Sequence, residues 1–314
     1  MPDSIAVVLP AYNEEITIRD VILDFHRSLP EASIYVIDNR SSDRTQEIAR
    51  ATFAEFGVRG EVLFEPRPGK GSAVRYAFHT IDADYYLLAD ADLTYPAARA
   101  RDMLKPVQDG TADMVVGDRL SAGHYDNENK RAFHGFGNRL VCWLVNTFFR
   151  ASLADILSGY RAFNRQFVKN YAVMVDGFQI ETDVTLHALD KRFRIREIPV
   201  EYVDRPAGSF SKLNTFSDGM RVISTIVQIL RYFKPFVFFG TLALVFSLAG
   251  FLAAIPVLKD WFLFKYIYHV PLAVLAASLE LFAVILLAIA LILDNLNQQE
   301  RVRYELRLLS MSGR

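Results

Sequence analysis

Two long apolar stretches near the end of the chain constrain it more than any other feature. Residues 235–258 contain no charged side chain, and residues 270–293 contain one, Glu280. As a helix, about 24 residues at about 1.5 Å each reach roughly 36 Å, enough to cross a hydrocarbon core of about 30 Å with some tilt. Core helices of soluble proteins are rarely so long and so uniformly apolar. The stretches therefore predict two membrane spans, about 235–258 and 270–293. The connector, 259–269, is short enough to make them an antiparallel hairpin. Its Trp261, Tyr266 and Tyr268 suit the aromatic belt of a membrane interface. Arg221, Arg231 and Lys234 precede the first span, and Arg301, Arg303 and Arg307 follow the second; the connector holds only Lys259 and Lys265. The positive-inside rule then predicts cytoplasmic termini. The first apolar run, Ile5 to Leu9, is too short for a signal-peptide core, so the N-terminal domain is expected on the cytoplasmic side. Glu280 reads either as an acid satisfied by the other span or a neighbouring subunit, or as a functional group.

Removing these stretches leaves an ordinary polar-surfaced domain. The chain has 314 residues, 52% hydrophobic and 13% aromatic, which excludes disorder. Cys142 is the sole cysteine, which excludes an internal disulfide framework. A net charge of −1 supplies no basic field, so nucleic acid is not an expected partner. Two spans are too few for a many-span transporter.

The first two hundred residues alternate between strand and helix patterns. Ile5–Leu9 reads as a buried strand that Pro10 stops, followed by a helix over Glu14–Leu29 with Ile18, Val21, Ile22 and Phe25 on one face. Ser33–Ile37 is a strand ending in Asp38, and Ser42 or Asp43 can cap a helix to about Phe56. Further strands are expected at Val62–Phe64, Tyr85–Ala89 and Met114–Val116. The alternation predicts an α/β domain with a doubly wound parallel sheet. Ligands of such sheets bind at the carboxyl ends of the strands. Asp38, the Gly69-Lys70-Gly71 turn, Asp90, Asp92 and Asp118 all fall there. Lys191–Arg196 alternates like a strand edge. Residues 204–215 are rich in turn formers, and Val222, Ile223, Ile226, Val227 and Leu230 share one face of an amphipathic helix expected over 216–234.

The chemistry follows from residue type. Asp90-Ala91-Asp92 follows a strand, and two carboxylates spaced by one residue suit a hard divalent cation, which can neutralise a diphosphate leaving group. Lys70 lies between glycines that permit close backbone approach, at a helix start that favours phosphate. The segment matches neither the P-loop nor the GxGxxG spacing, which counts against an NTPase and a dinucleotide dehydrogenase. Asp38 can accept hydrogen bonds from a base or ribose, or cap the next helix.

The ordered set Pro10-Ala11-Tyr12-Asn13-Glu14-Glu15, Asp38, Gly69-Lys70-Gly71 and Asp90-Ala91-Asp92 resembles the inverting GT-A nucleotide-sugar transferases. Val116–Arg119, Asp155–Arg161, Phe178–Glu181 and Arg205–Leu213 look like the polyprenyl-phosphate branch, that of dolichyl-phosphate mannose synthase and the bactoprenol glucosyltransferases. The resemblance covers about residues 4–215, with the spans extending it. It implies a Rossmann-like, mostly parallel GT-A domain over 1–215, a juxtamembrane helix over 216–234, two spans within 235–293 and a cytoplasmic tail over 294–314. It implies transfer of one hexose from a nucleotide sugar to polyprenyl phosphate, with Mg²⁺ or Mn²⁺, at a lipid bilayer and in a homo-oligomer. Pro10, Tyr12, Glu14, Asp38 and Lys70 would line the nucleotide pocket; Asp90 would lie by the ribose and diphosphate and, with Asp92, hold the metal. Arg119, Arg131, Arg161, Arg205 and Lys212 are its candidates for the sugar diphosphate and the acceptor phosphate. Asp155, Glu181 and Asp183 would bind sugar hydroxyls or orient these arginines. Two departures are Thr94, where the branch often has Gln, and Asn39, where a second acidic residue is usual. GDP-mannose, UDP-glucose and UDP-N-acetylhexosamines all fit as donor, with a slight preference for a UDP-sugar. Two further readings stand beside this one. A processive or sugar-acceptor polysaccharide synthase would fit Gln228–Tyr232, which is similar to a QxxRW motif but ends in Tyr. A degenerate domain acting as a scaffold is opposed by intact Asp90, Asp92, Lys70 and Arg161.

Overall fold

The central strand β1 (Ile5–Ala11) is buried along nearly its whole length, as a strand flanked on both sides must be. The computed structural model describes residues 3–121, 132–173, 175, 179–203 and 227–312. β1 does not stop at Pro10. It continues to Ala11, with Pro10 in register with Ile37 of β2 (Ser33–Asp38). The other neighbour, β4 (Tyr85–Leu88), pairs with β1 only as far as Val8. Proline is tolerated where the ladder needs no donor on one side.

Helix α1 begins at Ile18 rather than Glu14 and ends at Ser28, burying Ile18, Val21, Ile22, Leu23 and Phe25. The preceding segment is a turn, entered through Asn13 at φ +55° and tied by Thr17, whose hydroxyl donates to Ala91 O at 2.7 Å. Helix α2 (Thr45–Phe56) starts two residues after Asp43, whose Oδ1 still accepts the Thr45 amide at 3.0 Å. After β3 (Gly60–Phe64) come α3 (Lys70–Thr80), β4, α4 (Ala100–Gln108), β5 (Met114–Asp118) and α5 (Ala132–Phe149). Then follow β6 (Arg161–Asn164), α6 (Arg165–Asn170), α7 (Ile180–Asp190) and β7 (Ile195–Pro199).

The seven strands lie in the order β3-β2-β1-β4-β6-β5-β7. All pairings are parallel except those of β6, which runs antiparallel to both β4 and β5. Periodicity alone predicts no strand at β6, whose consequence is positional. Because β6 runs backward, its first residue, Arg161, pairs with Leu88 and Val116 near the carboxyl ends of β4 and β5. The segment just before it, residues 155–160, therefore arrives at the same sheet edge as Asp90. The basic run around Arg194 feeds β7, an edge strand, as its alternation predicted.

Two apolar clusters cover the two faces of the sheet. One joins α1, α2 and α4 to Val7, Leu9, Val36 and Tyr160. The other joins α3, α6 and α7 to Val8, Tyr86, Met114 and Phe163. In the second, His187 packs among Phe167, Tyr171 and Phe193, with ring centroids 4.8–6.1 Å away. Burial, reinforced by nearby Lys191, pushes its pKa down to about 4. The folded chain thus refuses a proton that the unfolded chain binds below about pH 6.5. This penalty is absent at pH 7.5, grows as pH falls, and reaches about 2 kcal/mol near pH 5. Urea melts at the two pH values should show wild type losing that much more stability than His187→Phe; parallel losses would contradict it.

The chain divides into two units, residues 1–222 and 223–314. The second contains α8 (Pro235–Phe264) and α9 (Val270–Ser312), both long and apolar enough to cross a membrane. Each outruns its expected span. α8 extends through Trp261 to Phe264, leaving a turn of residues 265–269. There Asp260 Oδ2 accepts the Tyr268 and His269 amides at 2.9 and 3.1 Å. α9 continues without a break through the expected tail. Of the expected 216–234 helix, only the part from residue 227 is described, and it is helical to residue 233. The two helices meet through small residues, with Ala243, Gly250, Ala276, Ala283 and Ala290 buried. Glu280 sits in this seam and accepts the Ser247 hydroxyl at 2.9 Å. A Cβ on Gly250 would stand 2.7 Å from Glu280 Oε1, so the carboxyl group packs against the glycine backbone and would have to shift to admit a side chain there.

Candidate active site

The carboxyl edge of the sheet gathers the acidic residues that the strand pattern predicted there. Asp38 ends β2 and is 2% exposed, and its Oδ1 has no hydrogen-bond partner among the described residues. A buried acceptor without a donor is costly, and such an atom can accept a ligand N–H or O–H. Tyr12 and Glu14 follow the end of β1, with Tyr12 about half exposed.

Beyond the end of β4 lie Asp90 and Asp92. Asp92 is buried, and Thr94 donates to its Oδ1 through both amide and hydroxyl, at 3.2 and 2.5 Å. Leu93 between them adopts φ +63°, which turns the chain back to make this contact. Thr94 thus orients Asp92. Asp90 pairs with the ammonium of Lys70, the first residue of α3. The same ammonium donates to Glu181 Oε1 at 2.6 Å, from the first turn of α7. Burial alone would lower the Lys70 pKa, but the Asp90 and Glu181 carboxylates more than offset it and hold it raised. Gly159 closes the arrangement. A Cβ there would lie 2.9 Å from both Asp90 Oδ2 and Lys70 Nζ, so the pair packs directly on its backbone. Its N–H donates to the Tyr95 hydroxyl at 2.9 Å.

A second group stands after β5. Asp118 Oδ1 accepts the Leu120 and Ser121 amides at 2.9 and 3.1 Å, shaping the turn. Arg119 makes a bidentate pair with buried Asp155, at 2.6 and 2.9 Å, and its guanidinium lies 5.4 Å from the Tyr202 ring centre. Glu197 fixes that loop by accepting the Ala154 and Asp155 amides, each at 2.9 Å. Asp155 therefore orients an arginine, one of the two roles foreseen for it. Asp183 accepts the Tyr171 hydroxyl at 2.6 Å, away from Lys70's partners.

Arg161 departs from the phosphate-binding role that the resemblance implied. It is 0% exposed. Its donors go to Ser158 O at 2.8 Å, Ile156 O at 2.6 Å, Glu181 O at 3.0 Å, Thr185 Oγ1 at 2.9 Å and the Met114 sulfur at 3.5 Å. All five guanidinium N–H groups are thereby committed inside the protein. Arg161 holds the 156–159 segment to α7 and leaves nothing for a phosphate. Arg131, Arg205 and Lys212 lie outside the described residues, as does Phe178.

Among the described residues no three His, Cys, Asp or Glu side chains converge as a metal site. Asp90 and Asp92 are the two carboxylates here that could hold a divalent cation, with phosphate oxygens and water completing its shell.

The sequence of this edge matches the model of glycosyl transferase family 2 over residues 6–172, just over half of the chain. The chain belongs to that family. Its fold is accordingly GT-A, and it is a hexosyltransferase. The match takes in Asp38, Lys70, Asp90, Asp92, Arg119 and Arg161, and ends before Glu181, Glu197 and Tyr202. A relative, glycosyltransferase AglJ of Haloferax volcanii, is 32% identical over 97% of this chain and 98% of its own length. A second, dolichyl-phosphate hexose transferase of the same organism, is 30% identical over 72% of this chain and 94% of its own. Among solved structures, glucosyl-3-phosphoglycerate synthase from Mycobacterium tuberculosis, in complex with Mn²⁺ and UDP-glucose, superposes with TM-score 0.55. It is 22% identical and covers 73% of this chain and 79% of its own, a likeness of fold.

Proposed function

We propose that this family member transfers a single hexose from a nucleotide-diphosphate sugar to a polyprenyl phosphate, with inversion at the anomeric carbon. The observation that carries the donor half is Asp38 Oδ1, a buried acceptor without a partner on the edge that also bears Lys70, Asp90 and Asp92. An acidic acceptor suits the N–H of a base, and the Lys70 helix start suits phosphate. The acceptor half rests on the likeness to a dolichyl-phosphate hexose transferase and on the two apolar helices of the same chain. With catalytic unit and termini on the cytoplasmic side, the lipid phosphate is presented at the membrane surface.

Asp90 and Asp92 would hold Mg²⁺ or Mn²⁺, whose chemistry is to neutralise the departing nucleoside diphosphate. The protein's own residues do the rest. A lipid monophosphate is already anionic near neutral pH, so its oxygen attacks the anomeric carbon without a strong general base. The demand is to hold two anions together, and cations at fixed positions meet it. Arg119 is fixed by Asp155. Arg131, Arg205 and Lys212 are the further candidates for sugar-diphosphate and acceptor-phosphate contacts.

The test is a product assay. Detergent-solubilised protein is incubated with undecaprenyl phosphate, Mg²⁺ or Mn²⁺, and labelled UDP-glucose, UDP-N-acetylhexosamine or GDP-mannose. The expected product is one lipid carrying one hexose, of inverted linkage. Asp92→Ala should lower turnover at least about 100-fold while the protein stays folded. A long polymer would instead establish a processive synthase, and full activity of Asp92→Ala would remove the metal role.

A further inference from the structure

We propose that Asn39 is a positioning residue of the donor site. It clamps the 65–69 loop onto the end of β2 and so sets the place of Lys70. This rests on the reading of that edge as a nucleotide-sugar site.

Asn39 is 6% exposed and follows Asp38 directly. Its Nδ2 donates to Glu65 O at 3.2 Å and to Arg67 O at 2.6 Å. Its Oδ1 accepts the Gly69 amide at 2.7 Å. The two carbonyls require the amide's NH₂ and the amide N–H requires its oxygen, so the network itself fixes which way the group points. Both donor hydrogens are used. The loop has a second fastening: the Arg67 amide and guanidinium both donate to the Glu65 carboxylate, at 2.8 Å.

The clamp acts on the residue next to Lys70. Gly69 takes φ +108° and caps α3, whose first residue is Lys70. Lys70 in turn spans Asp90 and Glu181. A continuous series of bonds thus runs from the strand carrying Asp38 to Asp90 beyond β4 and Glu181 on α7. Only an amide serves. Aspartate at position 39 could still accept from Gly69 but could donate to neither carbonyl. It would set a negative charge against both oxygens and beside Asp38, whose own Oδ1 is already buried without a donor. The departure from a second acidic residue is therefore a structural requirement of this loop.

Asn39→Asp and Asn39→Ala test this, the first by reversing the donors and the second by removing all three bonds without adding charge. Two readouts are taken on the full-length protein in detergent. Amide hydrogen exchange of residues 67–71 should speed up at least tenfold in both variants. The KM for the nucleotide sugar used in the product assay should rise about tenfold or more, with kcat changing less than about threefold. Unchanged exchange and KM in Asn39→Ala overturn the proposal. So does a lowered melting temperature with KM unchanged, which would make Asn39 a stabilising residue only. If wild type turns over no nucleotide sugar, the functional reading fails instead, and the exchange measurement still decides the clamp.

Discussion

Lys70→Met is expected to destabilise the first unit by about 3–5 kcal/mol and to abolish sugar transfer. The magnitude comes from what the lysine leaves behind. Its side chain is 8% exposed and faces two carboxylates, of which Glu181 is 9% exposed and Asp90 27%. Removing the cation strands two like charges at a buried position, and that is far more costly than losing a surface ion pair. The stabilising contribution has a defined pH range. The folded-state pKa of Lys70 lies above that of the unfolded chain, so its contribution is fully present below about pH 10 and fades only above it. Between pH 6 and 9 the lysine therefore adds no pH dependence of its own. Adding Glu181→Leu to Lys70→Met should return part of the stability, because a buried pair replaced by apolar groups is often nearly neutral. Transfer should stay lost, since Asp90 still lacks its partner. Urea melts and the product assay measure both. A Lys70→Met protein that melts with wild type would show that the pair is weak, and the double variant would then bring no recovery.

The legible part of this site was its strand-end chemistry. Asp38, Lys70, Asp90 and Asp92 were visible because each follows an apolar run at a position where parallel strands present ligand groups. The two long apolar helices are legible from length and lack of charge, although their ends are not: hydrogen-bonded helix continues past Leu258 and Leu293 because nothing in Lys259–Trp261 or Asp294–Gln298 breaks it. What stayed hidden was everything fixed by long-range pairing. β6 is only four residues long and its direction depends on its neighbours, so no periodicity announces it. Without β6, the arrival of Gly159 against Asp90 and Lys70 could not be foreseen. In the sequence Asn39 and Thr94 stand out only as departures from a family pattern. The structure gives each a bond to make: one holds the Gly69 turn, the other orients Asp92. Residue type suggests a sugar or arginine partner for Glu181, whereas its carboxylate meets Lys70, 111 positions away in the chain.

Arg161 is where residue type was most misleading, and its replacement separates the two roles. A phosphate-binding arginine and a structural one look alike in sequence, since both use the same planar set of donors. Arg161→Met should cost about 3–5 kcal/mol of stability. The Ser158 and Ile156 carbonyls would lose a buried donor, at about 1–3 kcal/mol each. Glu181 O would keep the Thr185 hydroxyl, which donates to it at 2.8 Å, and so would suffer less. Arg161→Lys should recover only part of the loss, because one ammonium on a shorter reach cannot meet acceptors spread over the 156–158 segment and α7. Turnover should fall in both variants, since the same segment carries Gly159 beneath the Asp90–Lys70 pair. Thermal melts beside donor and acceptor titrations decide the matter. A structural arginine lowers the melting temperature in step with kcat; a phosphate-binding one would leave the melt untouched and raise a KM. The second outcome would return Arg161 to the substrate and require another group to hold the loop on which Lys70 and Asp90 rest.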